Sequence, residues 1–141
     1  MQTPMPLGAR VVALTALLWN LFGLLVFALQ VSMSPEQRAA LPLDQQQINA
    51  AMPMWIYGVF GLATLAGTAG SIALLFARHW AEPALRVSFI AIVVQMVASY
   101  ALTPVWALTG LRGLGLPLLL ILVVASMWLF ARGAARRGWL R

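Results

Sequence analysis

Four long apolar stretches dominate this chain, and no other feature restricts its fold as strongly. They cover residues 9–31, 54–77, 84–103 and 116–131. A helix of roughly 20 apolar residues is long enough to cross the hydrocarbon core of a bilayer. Since 62% of the chain is hydrophobic and only 9% is charged, a soluble domain of this length could not bury its apolar surface. We therefore predict an all-α, multi-pass membrane protein, a four-transmembrane-helix bundle that forms one membrane domain over residues 1–141.

The arginines predict how these helices are oriented. All nine basic residues are Arg, and seven lie beside segment ends that would share one side of the membrane: Arg10, Arg78, Arg86, Arg132, Arg136, Arg137 and Arg141. Only Arg38 and Arg112 fall on the other side. The positive-inside rule then places both termini in the cytoplasm. The first stretch is too long for the apolar core of a signal peptide, so we expect it to be a retained span.

Residues 32–53 form the longest polar stretch, which includes SPEQRAALPLDQQQINAAMP. Two helix-start signals occur in it, Ser34 with Pro35 and Gln37, and then Asp44 with Gln47. We predict two short helices on the outer surface. A structured connector is the simpler role for them, and a binding lid is the alternative because the loop is long for a helical hairpin.

The residue types that the chain lacks exclude several kinds of chemistry. There is no Cys, so disulfides and thiolate sites are excluded. The apolar stretches contain no Asp, Glu, Lys or His, so transport coupled to an intramembrane ionisable group is not expected. His79 and Glu82 are too few for a metal site, and no serine has a His or carboxylate at its depth. We predict no enzyme, no metal, no cofactor and no nucleic-acid partner.

Small or polar residues recur at helical spacing in three of the four stretches. The stripes are Ala13, Ala16, Asn20, Gly23 and Phe27; Tyr57, Gly61, Thr64, Thr68 and Ser71; and Ser88, Gln95, Ser99 and Thr103 with Tyr100 beside them. We predict that these stripes face the bundle interior. The fourth stretch offers only Ser126, and its LLLILVV run is predicted to face lipid or to be simply apolar.

Asn20 is the most unusual of these residues because it lies in the middle of an apolar run. Asn20 and Gln95 each lie about 11 residues into their stretches, about 16 Å along the helix, and the two helices would run in the same direction. An amide in hydrocarbon costs several kcal/mol unless it is paired. We predict an interhelical hydrogen bond from Asn20, with Gln95 as the candidate partner; the alternative is that both amides line a polar ligand site.

The second stretch also contains GVFGLATLAGTAGS, in which four glycines permit close helix contact. We predict that they serve packing within the bundle. Homodimerisation is one alternative, and a discontinuous, substrate-binding helix is another.

Several motifs together resemble those of a family of small four-helix bacterial membrane proteins that are often named sugar transporters. The motifs are LWNLFG, SPEQRAALP, AGTAGSIALLFARHWA, VQM and RGWL, and the matching positions are Trp19, Asn20, Gly23, Gly67, Gly70, Ser71, Arg78, Trp80 and Gln95. The resemblance covers nearly the whole chain and implies a bacterial inner (cytoplasmic) membrane protein that carries a small solute. The run TPVWALTGLRGLG departs from the family by being more apolar.

Two functions are consistent with these features. The first is a transporter or facilitator of a small neutral polar solute such as a sugar, with substrate-binding residues Trp19, Asn20, Thr64, Thr68, Ser71, Gln95, Ser99 and Tyr100. Four helices are few for a pathway, so this function predicts a homo-oligomer in the lipid bilayer. The alternative is an accessory or structural subunit of a larger membrane complex, which the uncharged spans, the glycine-rich face and the basic tail favour.

Overall fold

The computed structural model describes residues 3–141, and the regular structure in this range is helical. Four of its helices are long and apolar enough to cross a membrane: α1 (Leu7–Val31), α4 (Met54–Leu75), α5 (Ala81–Leu102) and α7 (Gly115–Arg136). Two short helices, α2 (Pro35–Ala39) and α3 (Leu43–Ala51), connect α1 to α4, while α6 (Val105–Thr109) and the 3-10 helix Gly110–Leu114 precede α7. The predicted all-α class with four membrane-length helices is confirmed.

The helix boundaries differ from those predicted by apolar content alone. The third long helix begins at Ala81 rather than at residue 84, and the fourth continues to Arg136 rather than ending at residue 131. Both additions carry charged residues, Glu82 and Arg132 among them. Helical hydrogen bonds satisfy the backbone beyond the apolar core as well, so the helices can continue there. Long charged side chains can lie along the membrane interface with their charged groups in water.

The long helices pack in chain order, α1 against α4, α4 against α5, and α5 against α7. Neighbours in this series are antiparallel. Along α1 and α4, Asn20 lies beside Ser71 whereas Phe27 packs on Gly61. The pairs Leu85–Gly70 and Ser88–Ala63 show the same for α4 and α5, and the pairs Glu82–Trp128 and Tyr100–Gly113, the latter just before α7, show it for α5 and α7. The bundle therefore has two ends. We call the end where α1 and α5 begin the Arg-rich end, since it carries the seven arginines named above, and the opposite end the loop end.

The first two polar stripes face each other, as predicted. Along α1, Ala13 and Ala16 are buried against α4. A Cβ atom built on Gly61 would lie 2.9 Å from the Phe27 ring, so the ring packs directly on the glycine backbone. The third stripe also turns inward, because the Ser88 hydroxyl donates to the Ala63 carbonyl at 2.7 Å. The α1 and α5 stripes approach each other at Gly67 of α4, where Asn20 and Ser88 lie.

The loop end contains the two predicted short helices, and one of the two predicted caps. At α2, Ser34 and Gln37 form a reciprocal capping box with distances of 3.2 and 2.9 Å. The pKa of Glu36 is lowered there, first by its own backbone N–H and then by the Ser34 hydroxyl. The predicted cap of α3 by Asp44 is wrong, since Pro42 is the N-cap and Asp44 lies inside the first turn.

Helix α4 ends in a tight turn at the Arg-rich end. The Arg78 N–H donates to the Ala73 carbonyl at 2.7 Å and the Ala77 N–H to the Leu74 carbonyl at 3.0 Å. These are the two bonds of a Schellman motif, which needs a left-handed residue at the position that Ala77 occupies with φ +54°. Glycine adopts this conformation without the steric cost that a Cβ atom adds.

We expect Ala77→Gly to raise the free energy of unfolding by about 1 kcal/mol, because the left-handed backbone is then unstrained. Denaturation in detergent micelles, followed by circular dichroism, measures the change. The matched control is Ala66→Gly in the interior of α4, where the same substitution should lower stability by about 1 kcal/mol. Equal shifts for the two variants would contradict the assignment of strain to Ala77.

Candidate functional site

Two hollows lie between α1 and α7, and we call them together the α1–α7 seam. The loop-side hollow has a volume of about 280 Å³ and is lined by Trp19, Asn20, Phe22, Gly23, Val26, Phe60, Ala63, Thr64, Ser88, Ile92, Leu116, Leu120 and Val124. The Arg-side hollow has a volume of about 430 Å³ and is lined by Val11, Val12, Thr15, Ala16, Leu74, Val123, Ser126, Met127 and Phe130. Each hollow occupies one half of the length of the long helices.

The hollows are open at the surface of the bundle. Phe22 and Leu116, which line the loop-side hollow, are each 65% exposed, and Val11 in the Arg-side hollow is 56% exposed. In a bilayer this surface would be in contact with acyl chains. A molecule dissolved in the membrane could therefore reach either hollow from the side.

Asn20 connects the linings of the two hollows, since it lines the loop-side hollow and contacts Met127 of the Arg-side hollow. Its side chain is 7% exposed, and its Nδ2 donates to the Ala16 carbonyl at 2.9 Å and to the Ser71 hydroxyl at 3.0 Å. The same Nδ2 lies 3.5 Å from the Met127 sulfur on α7. Thioether sulfur is a weak acceptor, so the contact that separates the two hollows is the weakest that Asn20 makes.

Gly67 on α4 makes this arrangement possible. A Cβ atom at Gly67 would overlap the Asn20 Oδ1 atom and lie 2.9 Å from the Ser88 hydroxyl oxygen. Side chains from α1 and α5 therefore occupy the space that a side chain on α4 would fill. Three of the four glycines of this stretch, Gly61, Gly67 and Gly70, thus lie against side chains of neighbouring helices, in line with the prediction that they serve packing within the bundle, whereas Gly58 has nothing within 4 Å.

The predicted hydrogen bond between Asn20 and Gln95 is not formed, because the two amides lie at different levels. Asn20 is thirteen residues from the start of α1 at Leu7, whereas Ser88, which shares its level, is seven residues from the start of α5 at Ala81. Helix α1 therefore extends farther at the Arg-rich end than α5 does. Gln95 lies seven residues beyond Ser88, about 10 Å nearer the loop end.

The structure brings together only some of the predicted site residues. Trp19, Asn20 and Thr64 line the loop-side hollow, and Ser71 holds the Asn20 amide from the α4 side. The Thr68 hydroxyl donates to the Thr64 carbonyl of its own helix at 2.8 Å.

The remaining three predicted residues lie outside the seam. The Tyr100 hydroxyl donates to the Gly113 carbonyl at 2.8 Å and Ser99 lies 3.8 Å from the Met52 sulfur, both toward the loop end. Gln95 Oε1 is enclosed and has no hydrogen-bond partner among the described residues.

The α7 wall of the seam was missed in the sequence. The sequence predicts that LLLILVV faces lipid or is simply apolar, and the lipid-facing assignment is wrong for Val124, which is 6% exposed. Met127, three residues farther along, contacts Asn20. A run of apolar residues looks alike toward lipid and toward a neighbouring helix, so no signal distinguished Val124. Ser88 was predicted to face inward but was not among the predicted site residues. It lines the loop-side hollow because the relative heights of α1 and α5 place it level with Asn20.

The seam is uncharged and its hydroxyl hydrogens are engaged. The Thr64 hydroxyl donates to the Gly61 carbonyl at 3.0 Å, and Ser126 donates to the Leu122 carbonyl at 2.7 Å. No lining residue is charged. Within residues 3–141 no cluster of three or more His, Asp or Glu side chains could hold a metal ion. Comparison with protein-family models, curated proteins and solved structures finds no match for this chain.

Proposed function

We propose that the protein binds a small uncharged solute in the α1–α7 seam and passes it across the membrane. The observation that carries this proposal is that two hollows, one in each half of the long helices, lie on either side of the Asn20–Met127 contact. The uncharged lining favours an uncharged solute, because a lone charge in such surroundings would be strongly disfavoured. In the proposed orientation both termini lie in the cytoplasm of a bacterium and the loop end faces outward.

The contacts of the Asn20 side chain allow this passage to open and close. If the Met127 contact breaks, Asn20 keeps its hydrogen bonds to Ala16 and Ser71, so its amide N–H groups remain satisfied. A passing solute would replace a weak sulfur contact and leave α1 bound to α4. Opening therefore needs a displacement of α7 relative to α1 and no rearrangement of the α4–α5 pair.

Linking the two sides of the seam tests the proposal. The chain contains no Cys, so Thr15→Cys with Ser126→Cys provides a unique pair across the Arg-side hollow. In proteoliposomes we expect movement of an uncharged probe to stop when a bis-methanethiosulfonate bridges the pair and to return after reduction. The probes are glucose and a dodecyl glucoside with a fluorescent NBD group on its chain, whose transbilayer movement is followed by dithionite quenching.

The single variants Thr15→Cys and Ser126→Cys, treated in the same way, control for labelling without a bridge. Movement of either probe that stops only with the bridged pair supports the seam as the pathway. Movement of neither probe through the unmodified protein, or movement that the bridge leaves unchanged, would show that the seam carries no solute.

A second candidate function is that of a subunit in a larger membrane complex, and the unpaired amide of Gln95 favours it. Its enclosed Oε1 atom accepts no hydrogen bond among the described residues, although lipid offers no alternative donor. Gln95 is partly exposed on α5, so a rotation of its side-chain amide would present Oε1 to an approaching helix that supplies a donor.

Native mass measurement after gentle extraction tests this second function. We expect the wild-type chain to be extracted in a complex and Gln95→Leu to be extracted alone, whereas Val94→Leu, one residue away on an exposed position, should keep the complex. Extraction of the wild-type chain alone would contradict the proposal that Gln95 binds a partner subunit.

A further inference from the structure

We infer that the solute is an amphiphile with a largely apolar body and one hydrogen-bond donor group, which it directs at the Asn20 carbonyl oxygen. This inference rests on the proposed function, since it names the class of molecule that the loop-side hollow would take. It differs from the sugar-like solute that the sequence predicts.

The hydrogen-bond inventory of the loop-side hollow carries the inference. The hydroxyl hydrogens of Thr64 and Ser88 are donated to carbonyl groups, and the Asn20 Nδ2 is engaged as well. The Asn20 Oδ1 atom lies against the Gly67 backbone, receives no hydrogen bond from the described residues and is not fully enclosed. The hollow therefore offers an open acceptor to a ligand, while its side-chain donors are largely used.

A ligand with many hydroxyl groups fits this inventory poorly. Each hydroxyl would need both a donor and an acceptor, and an unmade hydrogen bond in apolar surroundings costs on the order of 1–3 kcal/mol. The indole N–H of Trp19 is the one lining side-chain donor that makes no hydrogen bond in the described structure. A sugar would lose most of its hydration in this hollow without replacement, whereas an alcohol would lose one hydroxyl's hydration and regain a bond.

The walls and size of the hollow favour an apolar body. Phe22, Val26, Leu116, Leu120 and Val124 present only carbon, and the volume of about 280 Å³ matches a small molecule. Because Phe22 and Leu116 stay exposed at the opening, a ligand already dissolved in the bilayer can enter without crossing water. Its apolar body would lie along the α7 wall with the donor group against Asn20.

Equilibrium binding to the intact chain in nanodiscs tests the ligand class. This measurement does not depend on movement of the ligand across the membrane. The probes are a chain-brominated decan-1-ol, its methyl ether and the matching bromodecane, compared at equal mole fractions in the bilayer. Bromine near Trp19 quenches its fluorescence, and the signal from the hollow is the part that Trp19→Phe removes. We expect the alcohol to reach half-maximal quenching at a mole fraction about 3- to 10-fold lower than the ether or the alkane, the effect of one hydrogen bond.

The substitution Asn20→Leu should remove this preference, while Val97→Leu, at an exposed position of α5 that lines neither hollow, should preserve it. The ether comparison needs no variant, so the inference remains testable if Asn20→Leu misfolds. Equal quenching by alcohol, ether and alkane in the wild-type protein, or displacement of the alcohol by glucose, would overturn the inference. Alcohol selectivity in a protein that moves neither probe in proteoliposomes would instead overturn the proposed passage and leave the ligand class standing.

Discussion

Replacement of Gly67 with alanine should lower the free energy of unfolding by about 3 kcal/mol, because an added methyl group has no space at this position. It would overlap the Asn20 Oδ1 atom and press on the Ser88 hydroxyl. Neither neighbour can withdraw easily, since Asn20 is held by Ser71 and Ser88 by the Ala63 carbonyl. We therefore expect α1 or α5 to separate from α4. Steric trapping in bicelles, or denaturation in mixed micelles, measures the change in stability.

Gly58→Ala is the matched control for this substitution. Gly58 lies on the same helix, and a Cβ atom there would have nothing within 4 Å. Alanine is a better helix former than glycine by about 1 kcal/mol, so this variant should be neutral or more stable. If both alanine variants unfold at the same denaturant concentration, the packing of three helices around Gly67 is incorrect.

Leu85→Ala should destabilise the protein by about 2–4 kcal/mol, since it removes a fully enclosed side chain from the α4–α5 contact. Leu85 is 0% exposed, and a Cβ atom on Gly70 would lie 2.8 Å from its Cγ atom. It also belongs to the core cluster at the Arg-rich end, with Leu74 and Ala131. In a bilayer the separated helices stay in apolar surroundings, so the loss comes from the cavity and its missing contacts rather than from exposure to water.

Val87→Ala controls for the loss of apolar volume at a lipid-exposed position on the same helix. Val87 is 42% exposed, so acyl chains can fill the space and stability should change by less than about 0.5 kcal/mol. The same assay compares the two variants. A large loss for Val87→Ala together with a small one for Leu85→Ala would mean that α5 is rotated relative to the orientation described above.

Much of the architecture could be predicted from the sequence. A helix needs roughly 20 apolar residues to cross a bilayer, so the number of apolar stretches of that length gives the number of long helices. The inward turn of the Asn20 stripe could be predicted as well, since small residues at helical spacing mark a packing face. The capping box at Ser34 followed from local chemistry, whereas Asp44 shows the limit of such reasoning. From the sequence alone, a carboxylate near a helix start can be either the N-cap or a residue of the first turn. Here Pro42 is the N-cap, and Asp44 lies in the first turn.

The amino-acid pattern alone thus predicted a lipid medium, the number of long helices and the need of Asn20 for a partner, and the structure confirms the helix number and shows the partner. The identity of that partner depended on the relative heights of the helices. Counting from the start of each apolar stretch assumed equal starting levels, but α1 extends farther at the Arg-rich end, so Asn20 meets Ser71 and lies level with Ser88, well away from Gln95. The seam likewise arises from packing, because an all-apolar α7 gives no sign of which side chains face lipid and which line a hollow.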